Sequence, residues 1–144
     1  MTINPYLSFD GQCEAALQLY ERCLGVKVVY LKRYSESSSV SQVPADWHNR
    51  IFHATFVLGD QTFGAADAPP GGYRVPQGFS LILDPASVID AQRIFDGLSE
   101  NGVVMMPLQE TEWALRFGVF TDQFAIPWMV NCEARSEDFA SQST

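Results

Sequence analysis

The chain has 144 residues, of which 47% are hydrophobic, and a formal net charge of −8. This apolar fraction supports one folded domain, or two small modules sharing a core, and argues against disorder. The negative charge argues against nucleic acid as a partner, because nucleic-acid binding depends on clustered Lys and Arg. No apolar run is long enough to span a bilayer and no basic amphipathic helix is present, so we expect no membrane partner.

The three cysteines, Cys13, Cys23 and Cys132, indicate the compartment. An odd number of cysteines favours a reducing environment, and the N-terminus has neither the basic start nor the apolar core of a signal peptide. Cys13 and Cys23 lie on one predicted helix, about 15 Å apart along its axis, so they cannot form a disulfide with each other. We therefore expect free thiols and a cytoplasmic protein.

The first half of the chain predicts one helix among four strands. Apolar residues recur at helical spacing over 12–24, and Gly25 follows as a C-cap. A Ser-rich segment without periodicity predicts a long loop over 35–49. The predicted strands are 4–9, 26–34, 50–58 and 61–66, the last two joined by a turn at Gly59-Asp60.

The second half repeats this order after a proline-rich linker, 67–77. A helix is predicted over 87–100, and strands over 78–83, 103–108, 113–120 and 126–132. Each half therefore has the order β-α-β-β-β. The predicted fold is α+β: two βαβββ modules, 3–66 and 78–133, form a curved eight-stranded mixed sheet with the helices outside. A flexible tail, 134–144, is predicted to follow.

Several short motifs add a family resemblance. They are Pro5-Tyr6-Leu7-Ser8-Phe9-Asp10-Gly11, Ala15–Leu24 with Gly25, His53, Gly59-Asp60, Asp67, Phe117-Gly118, Thr121-Asp122, Phe124 and Pro127-Trp128. Together they resemble the vicinal oxygen chelate superfamily, which includes glyoxalase I, bleomycin-resistance proteins and extradiol dioxygenases. Within it the chain looks most like the PhnB-like branch, also labelled 3-demethylubiquinone methyltransferase-like. The resemblance covers nearly the whole chain to Cys132 and implies paired βαβββ modules and, usually, a homodimer.

The chain departs from this family at two kinds of position. Ala125 stands where the branch usually has Gly, and Ala tolerates a positive φ poorly. The places where the superfamily's enzymes hold a divalent metal correspond here to Pro5 or Tyr6, Gly64, Gly78 or Phe79, and Trp128. None of these is a usual ligand, so we expect no metal at the family position. No Gly-rich strand-to-helix turn suits a nucleotide-like cofactor, so no cofactor is predicted and the methyltransferase label is not supported.

His53 is the first candidate ligand-binding residue. If Phe52 and Phe56 pack under the first helix, His53 and Thr55 face the opposite side of the sheet, where we expect the cavity. Histidine is the usual acid–base group near neutral pH. The alternative is a hydrogen-bonded strand histidine with no functional role. His48, beside Trp47 in the Ser-rich loop, is either an exposed loop residue or part of a lid.

The final hairpin supplies the other candidates, Glu112, Trp113, Arg116 and Trp128. Both tryptophans would stack on an aromatic ligand if they line a cavity, and the alternative is that they are core residues. Arg116 in an apolar cleft would bind a carboxylate or phosphate. The alternative for Arg116 and Glu112 is a solvated strand face with a plain ion pair.

The sequence therefore predicts a cytoplasmic glyoxalase-fold protein that binds a small aromatic or anionic molecule between its modules, without the superfamily metal and as a homodimer. Whether it catalyses a reaction stays open, and no catalytic residue is assigned. One alternative is a lyase, isomerase or dioxygenase-type enzyme of the superfamily, with His53 or a carboxylate as base. Another is a resistance-type protein that only sequesters its ligand, which needs aromatic walls and no catalytic residue.

Overall fold

The computed structural model describes residues 1–133, and the tail predicted at 134–144 lies outside the described residues. The chain divides into two compact units, Met1–Val75 and a second that begins at Pro76, called here the first and second modules. The module bounds 3–66 and 78–133 stay predictions. No helix among residues 1–133 is long and apolar enough to cross a membrane. The assignment to the cytoplasm stays a prediction.

The first module has one helix and four strands: β1 (Tyr6–Phe9), α1 (Cys13–Leu24), β2 (Lys27–Arg33), β3 (Ile51–Leu58) and β4 (Gln61–Asp67). The sheet order is β1-β4-β3-β2, with β1 parallel to β4 and the other pairs antiparallel. Gly25 ends α1 at a left-handed φ of 73°, and its N–H donates to Glu21 O at 3.0 Å. Glycine suits this position because it has no Cβ to clash there.

The helix α1 covers one face of this sheet. The Tyr20 ring on α1 lies 6.3 Å from the Phe56 ring on β3. The strand residues buried on this side are Leu7, Phe9, Ala54, Phe56, Phe63 and Ala65. Directly paired residues share a face of a sheet, so Tyr6, Ser8, Thr55, Gly64 and Ala66 lie on the face opposite α1, called here the cavity face.

The second module repeats the arrangement with β5 (Leu81–Leu83), α2 (Val88–Ser99), β6 (Val103–Gln109), β7 (Ala114–Thr121) and β8 (Pro127–Glu133). Its sheet order is β5-β8-β7-β6, again with the first pair parallel. Ser87 caps α2, because its side-chain oxygen accepts the Asp90 N–H at 3.1 Å. The Phe95 ring of α2 packs edge-on against Phe120 of β7 at 5.1 Å.

The predicted fold class is confirmed: two βαβββ modules with mixed sheets and one helix each, the eight strands divided four and four. Two strands begin two or more residues later than predicted. The first begins at Tyr6 rather than at 4, because Pro5 has no N–H for the ladder, although its carbonyl accepts Gly64 N–H at 2.9 Å. The strand predicted over 78–83 is Leu81–Leu83, and Gly78 before it has a left-handed φ of 84°.

Candidate functional site

A cavity of about 570 Å³ lies in the first module. Strands β1, β3 and β4 supply part of its wall, and the chain segments after β2 and β4 supply the rest. The lining residues are Tyr6, Ser8, Tyr34, Ser39, Gln42, Val43, Phe52, His53, Ala66, Asp67, Ala68, Pro69 and Gly72. All of these lining residues belong to the first module. The predicted cavity between the modules stays a prediction.

The loop after β2 is held against the sheet by aromatic and polar contacts. It contains three short 3₁₀ turns, Tyr34–Glu36, Val40–Gln42 and Ala45–Trp47. The Tyr34 hydroxyl donates to the Asp67 backbone oxygen at 2.8 Å. The Trp47 ring packs edge-on against Tyr34 at 5.8 Å and lies under the Arg50 guanidinium at 4.1 Å. Trp47 therefore anchors the loop from the core, and Ser39, Gln42 and Val43 reach the cavity.

A β-bulge places Phe52 and His53 on the same wall. Lys32 pairs with His53 and Arg33 with Ile51, so Phe52 has no partner on β2. Strict alternation would send neighbouring side chains to opposite faces, and a bulge re-aims one of them. Both Phe52 and His53 line the cavity.

The predicted alternation of side chains along β3 holds at some positions and fails at Phe52. Phe56 packs against α1, and Thr55 lies on the cavity face, as the alternation implies. Phe52 instead turns its ring edge-on to Tyr34 at 5.4 Å. His53 lines the cavity, but its role in ligand binding is not tested by this placement.

Tyr6 lies across its strand neighbour Gly64. The two residues pair in the β1–β4 ladder, and a Cβ on Gly64 would come within 2.4 Å of Tyr6 Cδ2. Real Cβ atoms do not approach other heavy atoms so closely, so the Tyr6 ring requires the glycine. The family resemblance implies metal-ligand positions at Pro5 or Tyr6 and at Gly64, and this correspondence stays a prediction. The Tyr6 ring fills the space that the Cβ of any side chain at position 64 would need.

His53 is hydrogen-bonded through both ring nitrogens. Its Nδ1 lies 3.1 Å from the Tyr6 hydroxyl oxygen, and its Nε2 lies 3.3 Å from Thr55 Oγ1. The Tyr6 and His53 rings stack with centroids 5.7 Å apart, and Tyr30 packs on His53 at 5.9 Å. Burial raises the pKa of the Tyr6 hydroxyl, so it remains protonated at neutral pH. The pair therefore presents a neutral phenol hydroxyl to the cavity.

Asp67, at the end of β4, is a buried structural carboxylate. Its Oδ1 accepts the Cys13 N–H at 2.8 Å, and its Oδ2 accepts the Ile51 N–H at 2.8 Å. Burial raises the pKa of this carboxyl, while the two N–H donors and the nearby Arg50 offset part of the rise. Burial and the Asp67 charge also raise the pKa of the Cys13 thiol, which makes Cys13 a poor nucleophile.

Trp128, predicted to bind ligand, lies in the core of the second module. It is 3% exposed, pairs with Phe120 and shares the α2 side of the sheet with that residue. Its indole N–H donates to Asp122 Oδ2 at 2.8 Å. The same carboxylate accepts the backbone N–H groups of Phe124 and Ile126 at 2.8 and 3.0 Å. Trp128 is therefore a core residue, which the sequence analysis gave as the alternative to ligand binding. Its assignment as a ligand-binding residue is not tested.

Glu112, Trp113 and Arg116 lie elsewhere in the second module. Glu112 is exposed, and Trp113 is 57% exposed, both in the turn before β7, where Thr111 N–H donates to Ala114 O at 3.1 Å. Glu112 precedes β7, so it is not part of the strand face that the sequence analysis offered as the alternative for Glu112 and Arg116. Arg116 on β7 is half-buried and donates to the Leu115 carbonyl at 2.6 Å. These residues belong to the second module and His53 belongs to the first. Their ligand-binding role stays a prediction.

The second module has a cavity of its own, of about 480 Å³. It is lined by Pro76, Gln77, Gly78, Phe79, Ser80, Met105, Thr121, Pro127 and Met129. Its wall on β8 includes Met129, the neighbour of Trp128, because alternate residues of a strand face opposite sides. Among residues 1–133, no group of three or more His, Cys, Asp or Glu side chains is placed to hold a metal ion in either module.

The comparisons with known proteins agree with this architecture. Residues 2–130 match the family model described as Glyoxalase/Bleomycin resistance protein/Dioxygenase superfamily. Protein YjdN of Escherichia coli (strain K12) is 37% identical over 139 residues, which cover 91% of this chain and 95% of that protein. The crystal structure of protein PA1353 from Pseudomonas aeruginosa is 40% identical with a TM-score of 0.84, covering 92% of this chain and 98% of the other.

A second solved structure has a more specific name. A "Putative 3-demethylubiquinone-9 3-methyltransferase, PhnB protein, from Bacillus cereus" is 23% identical with a TM-score of 0.79, covering 92% and 99% of the two chains. At this identity the similarity concerns the fold. The chain belongs to the Glyoxalase/Bleomycin resistance protein/Dioxygenase superfamily, as the sequence motifs predicted, and it has a PhnB-like neighbour in structure.

Sequence reasoning missed most of the cavity wall. Tyr6 was considered only as a replaced metal ligand, although its alternation with buried Leu7 already placed it opposite the helix. Phe52 was missed because a bulge has no clear signal in the sequence. Ser39, Gln42 and Val43 belong to the aperiodic loop, whose only noted feature was Trp47-His48, and neither of those lines the cavity.

Proposed function

We propose that the first module binds a small organic molecule in its cavity. The observation that carries the proposal is the cavity itself: about 570 Å³, with Tyr6, Tyr34, Phe52 and His53 as aromatic walls. Small-molecule sites typically have about 300–1,000 Å³, mostly apolar walls and a few convergent polar groups. Here the polar groups are the Tyr6 hydroxyl, His53, Ser8, Ser39 and Gln42.

The proposal is tested with a panel of neutral, acidic and basic single-ring aromatic fragments, screened by ligand-observed NMR. Ser8 is exposed and lines the cavity, so Ser8→Phe fills part of the space without disturbing the core. Ser38→Phe is the matched control, because Ser38 is also exposed and is not a lining residue. We expect hits that Ser8→Phe weakens and Ser38→Phe does not. If no hit responds to Ser8→Phe in folded protein, the first-module cavity is not a binding site.

An enzymatic function is the second candidate, and one observation favours it. His53 lies in the cavity wall with Nδ1 3.1 Å from the Tyr6 hydroxyl, within the reach of acid–base groups. A lyase or isomerase would use this pair to move a proton of the bound molecule. A sequestering protein would need only the aromatic walls. Incubation of a bound fragment with protein, followed by mass spectrometry and NMR, separates the two, because only an enzyme changes the ligand.

We also propose that the protein is a homodimer, as is usual in the superfamily. Strands β2 and β6 are edge strands of their sheets, and edge strands favour pairing with another chain unless they are protected. On β6, Val103, Val104 and Met105 are 63%, 45% and 55% exposed. Light scattering at micromolar concentration should give twice the 16.0 kDa of one chain. A mass of one chain would contradict the dimer without affecting the cavity proposal.

A further inference from the structure

The charges around the first-module cavity limit the class of ligand. Of the described residues, those that line it include no Lys or Arg, and the one acidic lining residue is Asp67. Both Asp67 carboxylate oxygens already accept backbone N–H groups, from Cys13 and Ile51. An anion in this cavity would therefore lack a permanently charged partner in the wall, and removing an unpaired charge from water is unfavourable.

The basic residues that neighbour lining residues in the sequence or the sheet are not lining residues themselves. Arg74 donates to the Gly71 and Tyr73 carbonyls. Arg33 forms a salt bridge with Glu14, and Arg50 lies over the Trp47 ring. Lys32 pairs with His53 across β2 and β3 but is not a lining residue. These placements favour a neutral ligand over an anion, and Lys32 is the group that a test must exclude.

The polar contact of the wall is a chain of three groups: Tyr6, His53 and Thr55. The imidazole bonds to a hydroxyl through each nitrogen, at 3.1 Å to Tyr6 and 3.3 Å to Thr55. A neutral imidazole has one N–H donor and one acceptor nitrogen, and each hydroxyl can donate or accept. The two hydrogen bonds among Tyr6, His53 and Thr55 can therefore form with either of two arrangements of the protons.

The two arrangements give Tyr6 opposite capacities toward a ligand. With the proton on Nε2, the imidazole donates to Thr55 and accepts from Tyr6, so the Tyr6 oxygen is left to accept a hydrogen bond. With the proton on Nδ1, the imidazole donates to the Tyr6 oxygen and accepts from Thr55, so the Tyr6 O–H is left to donate. In neither state is a nitrogen of His53 left unpaired.

The Tyr6 ring is also held in place. It lies across Gly64, where a Cβ would meet it at 2.4 Å, and it stacks on His53 with ring centroids 5.7 Å apart. Phe52 and Tyr34, edge-on at 5.4 Å, form an aromatic part of the same wall. A planar ring between these groups would place a ring substituent at the Tyr6 hydroxyl.

We infer that this cavity selects neutral aromatic molecules bearing an N–H, a hydroxyl or a carbonyl group, and that Tyr6 bonds donors and acceptors alike by reversal of the His53 hydrogen bonds. The inference rests on the proposed function, since it specifies the ligand of the same cavity. The inference makes a distinctive claim: the binding of a hydrogen-bond donor and the binding of an acceptor should depend equally on the Tyr6 hydroxyl. An ordinary fixed donor would favour the acceptor ligand alone.

The test uses four probes of similar size: indole, whose N–H only donates, acetophenone as acceptor, benzoate as anion and toluene without a polar group. Their dissociation constants are measured at pH 7.5 by NMR titration of the full chain. We expect indole and acetophenone to bind, and benzoate to bind at least tenfold more weakly than either. Tyr6→Phe should weaken indole and acetophenone by about five- to tenfold each and leave toluene unchanged, because it removes one hydrogen bond.

Tyr30→Phe is the matched control, because Tyr30 also packs on His53 but is not a lining residue. It should change none of the four constants. The inference is overturned if benzoate binds as well as indole, if Lys32→Gln weakens a probe, or if Tyr6→Phe affects only one of the two polar probes. It is also overturned if indole and acetophenone fail to bind while Ser8→Phe weakens the binding of other fragments, an outcome that leaves the proposed function standing. If Ser8→Phe affects no fragment at all, both fail.

Discussion

The ring of Tyr6 occupies the space beside Gly64 that a side chain at 64 would need, since a Cβ there would lie 2.4 Å from Tyr6 Cδ2. Gly64→Ala should therefore push the Tyr6 ring away and break its hydrogen bond to His53. We expect a loss of about 1–3 kcal/mol in the free energy of unfolding, the usual range for overpacking. Urea denaturation measures the loss, and the His53 ¹⁵N chemical shifts report the broken bond.

A double-mutant cycle assigns the cost of Gly64→Ala to the Tyr6 ring. In a Tyr6→Ala background the same change should be neutral or stabilising, because alanine is better than glycine in a strand by about 0.5–1 kcal/mol. An equal loss in both backgrounds would show that some other contact forbids the side chain.

Tyr34→Phe should remove the hydrogen bond to the Asp67 backbone oxygen, made at 2.8 Å in the buried interior. At neutral pH we expect a loss of about 1–2 kcal/mol in the free energy of unfolding. Burial, with the Asp67 charge, raises the pKa of Tyr34 above its ordinary value of 10.0. The folded state therefore holds this proton more tightly than the unfolded state does.

The sign of the pH dependence follows from that difference. The stability due to Tyr34 is fully present below pH 10 and is lost as the pH rises through its raised folded-state pKa. The difference between parent and Tyr34→Phe should thus shrink above pH 10 in urea denaturation series run at pH 7.5 and above pH 10. A difference that is constant or grows over this range would contradict the assignment.

Ala125→Gly should stabilise the second module. Ala125 has a φ of 72° in the β7–β8 turn, where its N–H donates to Asp122 O at 3.0 Å. A left-handed conformation costs a non-glycine residue about 1–2 kcal/mol, and glycine's greater freedom in the unfolded chain takes back about 0.5–1 kcal/mol. The expected net gain is about 0.5–1 kcal/mol, measured by thermal and urea denaturation.

The reverse substitution provides a control of opposite sign. Gly25 has a φ of 73°, and a Cβ at this position would meet no atom within 4 Å, so Gly25→Ala tests the conformation without a steric clash. It should lower the free energy of unfolding by about 0.5–1 kcal/mol. If Ala125→Gly destabilises while Gly25→Ala behaves as stated, the Ala125 methyl group makes a contact worth more than its backbone strain.

The two tryptophans of the final hairpin should differ sharply in their effect on stability. Trp128→Phe removes buried volume and the indole N–H bond to Asp122, so we expect a loss of about 2–4 kcal/mol. Trp113→Phe changes a residue that is 57% exposed and should cost under about 0.5 kcal/mol. Urea denaturation of both variants gives the comparison, and similar losses would contradict the core assignment of Trp128.

The order of the elements could be predicted because its signals are local. Helical periodicity, Gly25 as a C-cap and the Gly59-Asp60 turn each depend on a few neighbouring residues. The side of the sheet on which Thr55 lies also followed from alternation, because β3 pairs without a shift from Ala54 onward with β4. These signals were enough for the two βαβββ modules and for placing a histidine opposite the first helix.

The cavity wall could not be predicted in the same way, because it depends on contacts between distant residues. Phe52 joins the wall through a bulge, and a bulge depends on how β2 and β3 pair. The apolar character of Trp128 does not reveal which face of β8 it lies on. The Asp122 carboxylate, which accepts the hydrogen bond of the indole N–H, decides the side. Tyr6 depends on the absence of a side chain at Gly64, 58 residues later, a relationship visible only in the folded sheet.

The carboxylate of Asp67 sets the minimum length of an autonomous first module. It bonds the N–H of Cys13, 54 residues earlier at the start of α1, and the N–H of Ile51 at the start of β3. A fragment cut at 66 keeps all but the last residue of β4, yet it leaves two buried amides without an acceptor. Asp67 therefore satisfies a free N–H in the first turn of α1, and this bond is available only when the chain has returned through β4, so it couples the start of α1 to the end of that strand.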